Sequence, residues 1–356
     1  CKDIKSKGVI LEKGITKLVD LDNLGRCDIF NTKISIDNFK SNELISQKLI
    51  SSYEMDKKLE SETLKKIPIS ENIIFKSGLN KIKKNSFLKS KNIIFEEGSN
   101  LCLQDNQHLI INSSNIDFNG TSEKPNLIFL CEDNQNGSLT IEGSNVFINN
   151  LIVKDLNSPK IELRKLYGGI NFIDSSINFE KIKVLNSKGE DGVNFINSNV
   201  KGNLFNAENI KSDALDSDFS VIDIKKIQCN NIGNDCYDLS YSKSYIQEIE
   251  ADNVKDKVLS VGEASNLKIN GVIVSNSEIG VVSKDSSSLN IGSFKFSKVK
   301  LPLAAYIKKT ELGSPNIRIN SSIPEINNEN SFISKDSNVY LSKSRILGEM
   351  TSKEVF

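Results

Sequence analysis

Aspartate recurs at one spacing in the middle of this chain, and the spacing is what gives it chemical meaning. Asp191, Asp213 and Asp235 stand 22 residues apart, as do Asp216 and Asp238, and Asp218 lies two residues beyond Asp216. Carboxyl groups held about 5–9.5 Å apart can divide the work of glycoside chemistry, one as acid and the other as base or nucleophile. Several of them can instead hold Ca2+. The same period carries Asp235 to Lys257, Asp238 to Ser260, and Asp218 through Ser240 and Gly262 to Lys284 and Tyr306. Asp216 and Asp238 are therefore the candidate acid/base pair, with Lys284 as base or charge stabiliser. Asp216, Asp218 and Asp238 are the candidate ligands of a Ca2+ ion. Asp213, Asp235, Lys257, Ser260 and Tyr306 are the candidate substrate contacts.

These residues meet only if each 22-residue stretch is one turn of a coil. The segments GGINFIDSS from Gly168, DGVNFINSN from Asp191, DALDSDFS from Asp213, DCYDLSYS from Asp235, KVLSVGEAS from Lys257, IGVVSKDSS from Ile279 and LPLAAYIKK from Leu301 align one above the other. Apolar and polar residues alternate along them, which is a strand pattern, and no helical period is present. A repeat of this length with short alternating runs predicts an all-β, right-handed parallel β-helix with rungs of about 22 residues. Ile170 and Phe172, Val193 and Phe195, Tyr237 and Leu239, Leu259 and Val261, and Leu303 and Ala305 take the inward positions, whereas Ser217 breaks the second column. Asn186, Asn209, Asn231 and Asn253 recur late in successive rungs, where asparagine tolerates a left-handed bend and can bond to its copies.

Neighbouring strands lie about 4.8 Å apart and alternate residues about 6.6 Å apart, so Asp216, Asp218 and Asp238 fall roughly 5–8 Å from one another. They are mid-strand and are expected to face solvent. Asp191, Asp213 and Asp235 begin their strands, where aspartate also serves as a turn cap. Like charges this close destabilise a sheet unless a cation, a retained proton or the lysines compensate. Glu263 and Asp285 fall at the bend that follows. From 191 to 300 no insertion exceeds a residue or so, which favours shallow binding or a spacer role.

Lys+Arg and Asp+Glu balance at 46 each, which argues against a nucleic-acid partner. With a single histidine, His108, and no CxxC pair among six cysteines, a Cys/His zinc site is not expected. The cysteines are expected to be free buried thiols, although Cys229 and Cys236 are close enough to meet across a turn. No apolar run approaches the roughly 18 residues of a membrane span. A chain that begins with cysteine suits a lipoprotein carrying its lipid on Cys1, or an arbitrary boundary. Residues 40–66 lack Gly and Pro and predict one or two helices that cap or link the stack, within an N-terminal segment of residues 1–69. The β-helix is expected over 70–356, with weaker rungs up to 167, a polar loop at 320–330 and a final rung near 338–346.

The run DALDSDFS, GNDCYDLSYS, KDKVLSVGEAS, IGVVSKDSS, AAYIKKTELG, with the upstream IIFEEGSNLCL and INSSNIDFNGTSEKPNLIF, resembles bacterial right-handed β-helix proteins of the pectate-lyase-like superfamily. Some of those accompany a spore-coat-H-type kinase domain. The resemblance covers about residues 70–320. It implies an extracellular or cell-envelope protein that binds or modifies polysaccharide, as lyase, hydrolase or epimerase, or a non-catalytic adhesin or spacer. Pectate lyases use carboxylates of this face for Ca2+ and an arginine as base. Here Arg164 precedes the regular rungs and Arg318 and Arg345 follow them, and there is neither an Asp-Asp pair nor a histidine at the site, as polygalacturonase-type enzymes have.

Overall fold

Alternating short strands become a solenoid when each finds its copy one period later. The computed structural model describes residues 65–66, 70–82, 86–104, 106–132, 136–158, 166–323, 326, 330–342 and 344–348. They form an all-β parallel solenoid of about 11 turns, and among the described residues there is no helix. Of the helices expected over 40–66, residues 40–64 lie outside the described residues, as do Cys1 and Cys27, and Lys65–Lys66 form a short strand instead, paired with Ser86 and Phe87.

Each regular turn has one strand of four to six residues and one strand of ten to twelve residues. The Asp213–Asp218 strand pairs in parallel with Asp191–Ile196 before it and Tyr237–Ser240 after it. The long strands Asn199–Ile210, Val221–Ile232 and Lys243–Val254 pair in the same order. The register is the one the 22-residue alignment requires: Ile170 lies beside Val193 and Phe172 beside Phe195, and Leu259 and Val261 follow Tyr237 and Leu239. These side chains are fully buried and belong to one continuous core. Each buried Phe, Leu or Val contributes about 1.5–3 kcal/mol. Aromatic rings stack along the axis, Phe75 on Phe95 at 4.5 Å and Phe95 on Phe118 at 4.2 Å.

Ser217 interrupts its inward column for a packing reason. The ring of Tyr237, one turn on and fully buried, places its hydroxyl beneath it. Tyr237 OH donates to Ser244 Oγ at 3.1 Å and accepts from Ser217 Oγ at 3.5 Å. A phenylalanine at 217 would displace that hydroxyl and leave it without partners.

Two bends per turn are held by ladders. Asn186, Asn209, Asn231 and Asn253 all have φ between 52° and 57°. Their side-chain amides bond in series: Asn209 donates to Asn186 at 3.2 Å, Asn231 to Asn209 at 2.8 Å and Asn253 to Asn231 at 3.0 Å. The other bend carries a buried serine ladder. The amide N–H of Ser175, Ser198, Ser220 and Ser242 each donates to the hydroxyl of the serine one turn on, at 3.0–3.1 Å. That satisfies backbone donors which would otherwise be buried unpaired.

The cysteines differ from expectation. Cys102 and Cys131 form a disulfide, and so do Cys229 and Cys236. Pairing Cys102 beside Phe129 and Leu103 beside Leu130 brings Cys131 within a Cα–Cα distance of 5.0 Å of Cys102. The bend after Cys229 returns the chain to within 6.0 Å at Cys236. His108 is buried, with Nδ1 2.6 Å from Ser138 Oγ. Near the C-terminal end Asn338–Leu341 adds the last parallel strand described, and Ser344–Ile346 turns back on it antiparallel. No helix among the described residues is long and apolar enough to cross a membrane.

Candidate functional site

Along the shorter strands three columns of side chains face outward. The corner column runs Gly168, Asp191, Asp213, Asp235, Lys257, Ile279, Leu301. The middle column runs Asn171, Asn194, Asp216, Asp238, Ser260, Val282, Ala304, and the rim column Ile173, Ile196, Asp218, Ser240, Gly262, Lys284, Tyr306. Asp216, Asp218 and Asp238, expected to face solvent, are each partly exposed, but the rest of the middle column is not. Asn171, Asn194 and Ser260 are fully buried and Val282 and Ala304 nearly so. The corner and rim columns rise on either side, and the middle column is the floor of a trough. Solvent reaches that floor at two of the seven positions, Asp216 and Asp238.

The corner acids hold the turns. Asp213 Oδ1 accepts the backbone N–H of Asp235 at 2.7 Å and the Asn234 amide at 2.6 Å. Asp235 Oδ1 accepts the backbone N–H of Lys257 at 2.9 Å and its Nζ at 3.0 Å. Lys257 is also paired with Asp256. Asp235 and Lys257 are thus committed to the corner, and Asp235 is buried. Ser260, fully buried, accepts a hydrogen bond from Lys284 Nζ at 3.0 Å. Of the five candidate substrate contacts, only Asp213 and Tyr306 keep partial exposure without an ion pair of this kind.

Asn194, which the spacing of acids does not single out, organises the floor. Its Nδ2 donates to Asp191 Oδ2 at 3.0 Å and to Asp216 Oδ2 at 3.1 Å. Asp216 Oδ1 accepts the N–H of Ser217 at 2.7 Å, and Asp238 Oδ1 that of Leu239 at 2.9 Å. Each carboxylate is folded along its own strand instead of pointing to a common centre. One oxygen of Asp216 and one of Asp238 are thereby taken up by the backbone, which leaves fewer for the Ca2+ expected at Asp216, Asp218 and Asp238. Among the described residues no group of three or more His, Cys, Asp or Glu is arranged to hold a metal ion.

Burial and mutual repulsion raise Asp191, Asp213, Asp216, Asp218 and Asp235 above the ordinary carboxylate range. Asp216 lies well above the usual carboxylate range because of burial and then of Asp191, Asp218 and Asp238. Burial, with Asp213 beside it, pushes Asp191 up to about 8. Asp213 rises to about 6 by burial, and Asp218 to about 6 by burial and then Asp238 and Glu263. Asp235 reaches about 7, burial outweighing the pull of Lys257. Glu263 goes the other way. Burial would raise it, but the hydrogen bonds from Lys309 and Ser240 hold it below its ordinary value.

No protein-family model, curated protein or solved structure matches this chain. The chemistry is therefore read from the trough.

Lys284 cannot act as a base near neutral pH. Burial alone would lower it, but Asp238 and Glu263 outweigh that and move it up. Its stem lies back across Gly262, where a Cβ would sit 2.6 Å from Lys284 Cε. That close approach brings Nζ to Ser260, on the Asp238 side of the trough. Lys284 thus presents a positive charge beside Ser260. Tyr306 is held above its ordinary value by burial and offers no phenolate.

One wall is longer than the rest. After the Leu301–Tyr306 strand the chain runs through residues 307–315 before Asn316–Ile319, whereas earlier turns connect in two or three residues. This lip docks on the bend through Asp285 Oδ1, which accepts the N–H groups of Lys308 and Lys309 at 2.7 Å each. Lys309 Nζ reaches Glu263 Oε1 at 2.5 Å.

Proposed function

We propose that the trough binds a polysaccharide and modifies it by acid/base chemistry, in an extracellular or cell-envelope protein of the pectate-lyase-like kind. One observation carries this reading: the floor is sealed except at Asp216 and Asp238, and Asp216 is the carboxyl group held protonated there. A protonated acid one strand from a second carboxyl group is the arrangement of two-carboxylate glycoside hydrolysis. Asp216 is the general acid, Asp238 the base or nucleophile, and Lys284 the charge that steadies Asp238. Lyase chemistry is less well served, because it needs a basic side chain and Lys284 stays protonated. The two disulfides support an oxidising compartment. A non-catalytic spacer is the second reading, favoured by the uninterrupted turns between 191 and 300 and by corner acids that serve the backbone.

The test is a turnover screen on neutral, uronate-containing and amino-sugar polysaccharides, with and without Ca2+, comparing wild type with Asp216→Asn and Asp238→Asn. Turnover in wild type, lowered about 10²–10⁴-fold in each variant, is the expected result. No turnover across the panel, or turnover indifferent to both substitutions, would overturn the catalytic reading in favour of the spacer.

A further inference from the structure

Beside the trough, at the bend that follows the rim column, two aromatic rings stand in the open. Phe219 is 55% exposed and Tyr241 39%. Their planes are parallel to within 1° and their centroids 5.1 Å apart. That is wider than face-to-face contact, so the rings are slipped and part of a face is left uncovered. Both residues have positive φ, 52° and 51°. In the same bend of other turns stand Asp174, Asn197, Glu263 and Asp285, also at positive φ, three of them of the two residue types that tolerate this backbone. A phenylalanine or tyrosine there costs backbone strain and leaves much of the ring in solvent. Such a choice points to use by a ligand.

We propose that the Phe219–Tyr241 stack is a sugar-binding shelf, and that with Asp218 beside it the shelf takes a pyranose bearing a free ammonium group. The substrate class is then an amino-sugar polysaccharide. The proposal rests on the reading of the trough as a polysaccharide site, and narrows it.

The size of the shelf suits one or two sugar rings and not a protein partner, which needs far more than two side chains. Its surroundings select the charge. Carboxyl groups outnumber ammonium groups along the trough. Two of its lysines are already paired, Lys257 with Asp235 and Lys309 with Glu263, and Lys284 is buried. A uronate would bring another carboxylate to a face on which Lys257, Lys284 and Lys309 are already committed. An ammonium group would meet Asp218 and the ring faces together, both of which attract cations.

The experiment is equilibrium binding to the full chain by calorimetry. The probes are a glucosamine oligosaccharide, its fully N-acetylated counterpart and an oligogalacturonide. The glucosamine oligomer is expected to bind tightest. Phe219→Asn removes the ring while keeping a residue suited to positive φ, and should weaken that binding roughly tenfold, the order of one lost stacking contact. Tyr241→Asn should do the same. Asp218→Asn should erase the preference for the free amine over the N-acetylated form. Circular dichroism and the thermal midpoint of each variant confirm that the solenoid is intact. If the oligogalacturonide binds as tightly, or Phe219→Asn and Tyr241→Asn leave affinity unchanged, the shelf is refuted while the polysaccharide reading stands. No binding of any of the three, joined to no turnover in the screen above, overturns both.

Discussion

Replacing Asp191 by Asn tests the electrostatics of the trough most directly. Asp191 is buried, accepts the Asn194 amide and titrates near 8 in the folded chain, against an ordinary 3.8. Its folded value lies above its unfolded one, so folding takes up a proton. The stability it supports is fully present below about pH 4 and is lost as pH rises toward about 8. An asparagine has the same shape and no proton to lose. Its carbonyl can still accept from Asn194 Nδ2. The variant should therefore escape a penalty that grows by about 1.4 kcal/mol per pH unit between pH 4 and 8. From pH 5 to pH 7 its advantage over wild type should widen by about 2–3 kcal/mol. Urea unfolding of both chains at the two pH values measures this, read as the change in midpoint because long solenoids need not unfold in one step. An advantage that is the same at pH 5 and pH 7 would show that Asp191 is ionised when folded, and the account of a proton-holding cluster would fail.

Gly262→Ala should push Lys284 off Ser260, since the added Cβ meets Lys284 Cε at 2.6 Å; the expected outcome is reduced turnover, with a stability cost of only about 1 kcal/mol because the stem can shift. Ser220→Ala removes the hydroxyl that accepts the Ser198 N–H, leaving a buried donor unpaired, and should lower stability by about 1–3 kcal/mol in chemical denaturation without altering ligand binding. Asn231→Ala cuts the outer ladder between Asn209 and Asn253 and puts alanine at a φ of 57°; a loss of about 1–2 kcal/mol is expected, again by denaturation. Chelation by EDTA should change neither the thermal midpoint nor any turnover, because the carboxylates of Asp216 and Asp238 are folded onto their own strands; a drop in either would restore a metal to the site.

Much of the architecture was legible because its causes are local and periodic. Strand alternation and a strict 22-residue spacing place Val193, Leu215, Tyr237 and Leu259 in one inward column without any knowledge of distance. The asparagine ladder could be foreseen in the same way, since a bend that favours one residue type repeats it. The serine ladder carried an equal signal, as Ser175, Ser198, Ser220, Ser242 and Ser265 close the aligned segments. It was missed because serine is abundant here and its hydroxyl bonds to backbone, which leaves no trace in side-chain pairing. The disulfide between Cys102 and Cys131 lies in the irregular turns, where spacing does not predict register.

By itself, then, the amino-acid order determined which residues share a column, because a period converts sequence distance into adjacency. Only the tertiary structure decided what that adjacency means. Alternation says that Asp216, Asp218 and Asp238 point outward; it does not say that the corner and rim columns rise around them and strip away water. Burial sets which carboxyl groups keep their protons, whether Lys284 is base or fixed charge, and where the floor stays open. Burial belongs to the neighbours a side chain acquires across turns, and no spacing along the chain encodes it.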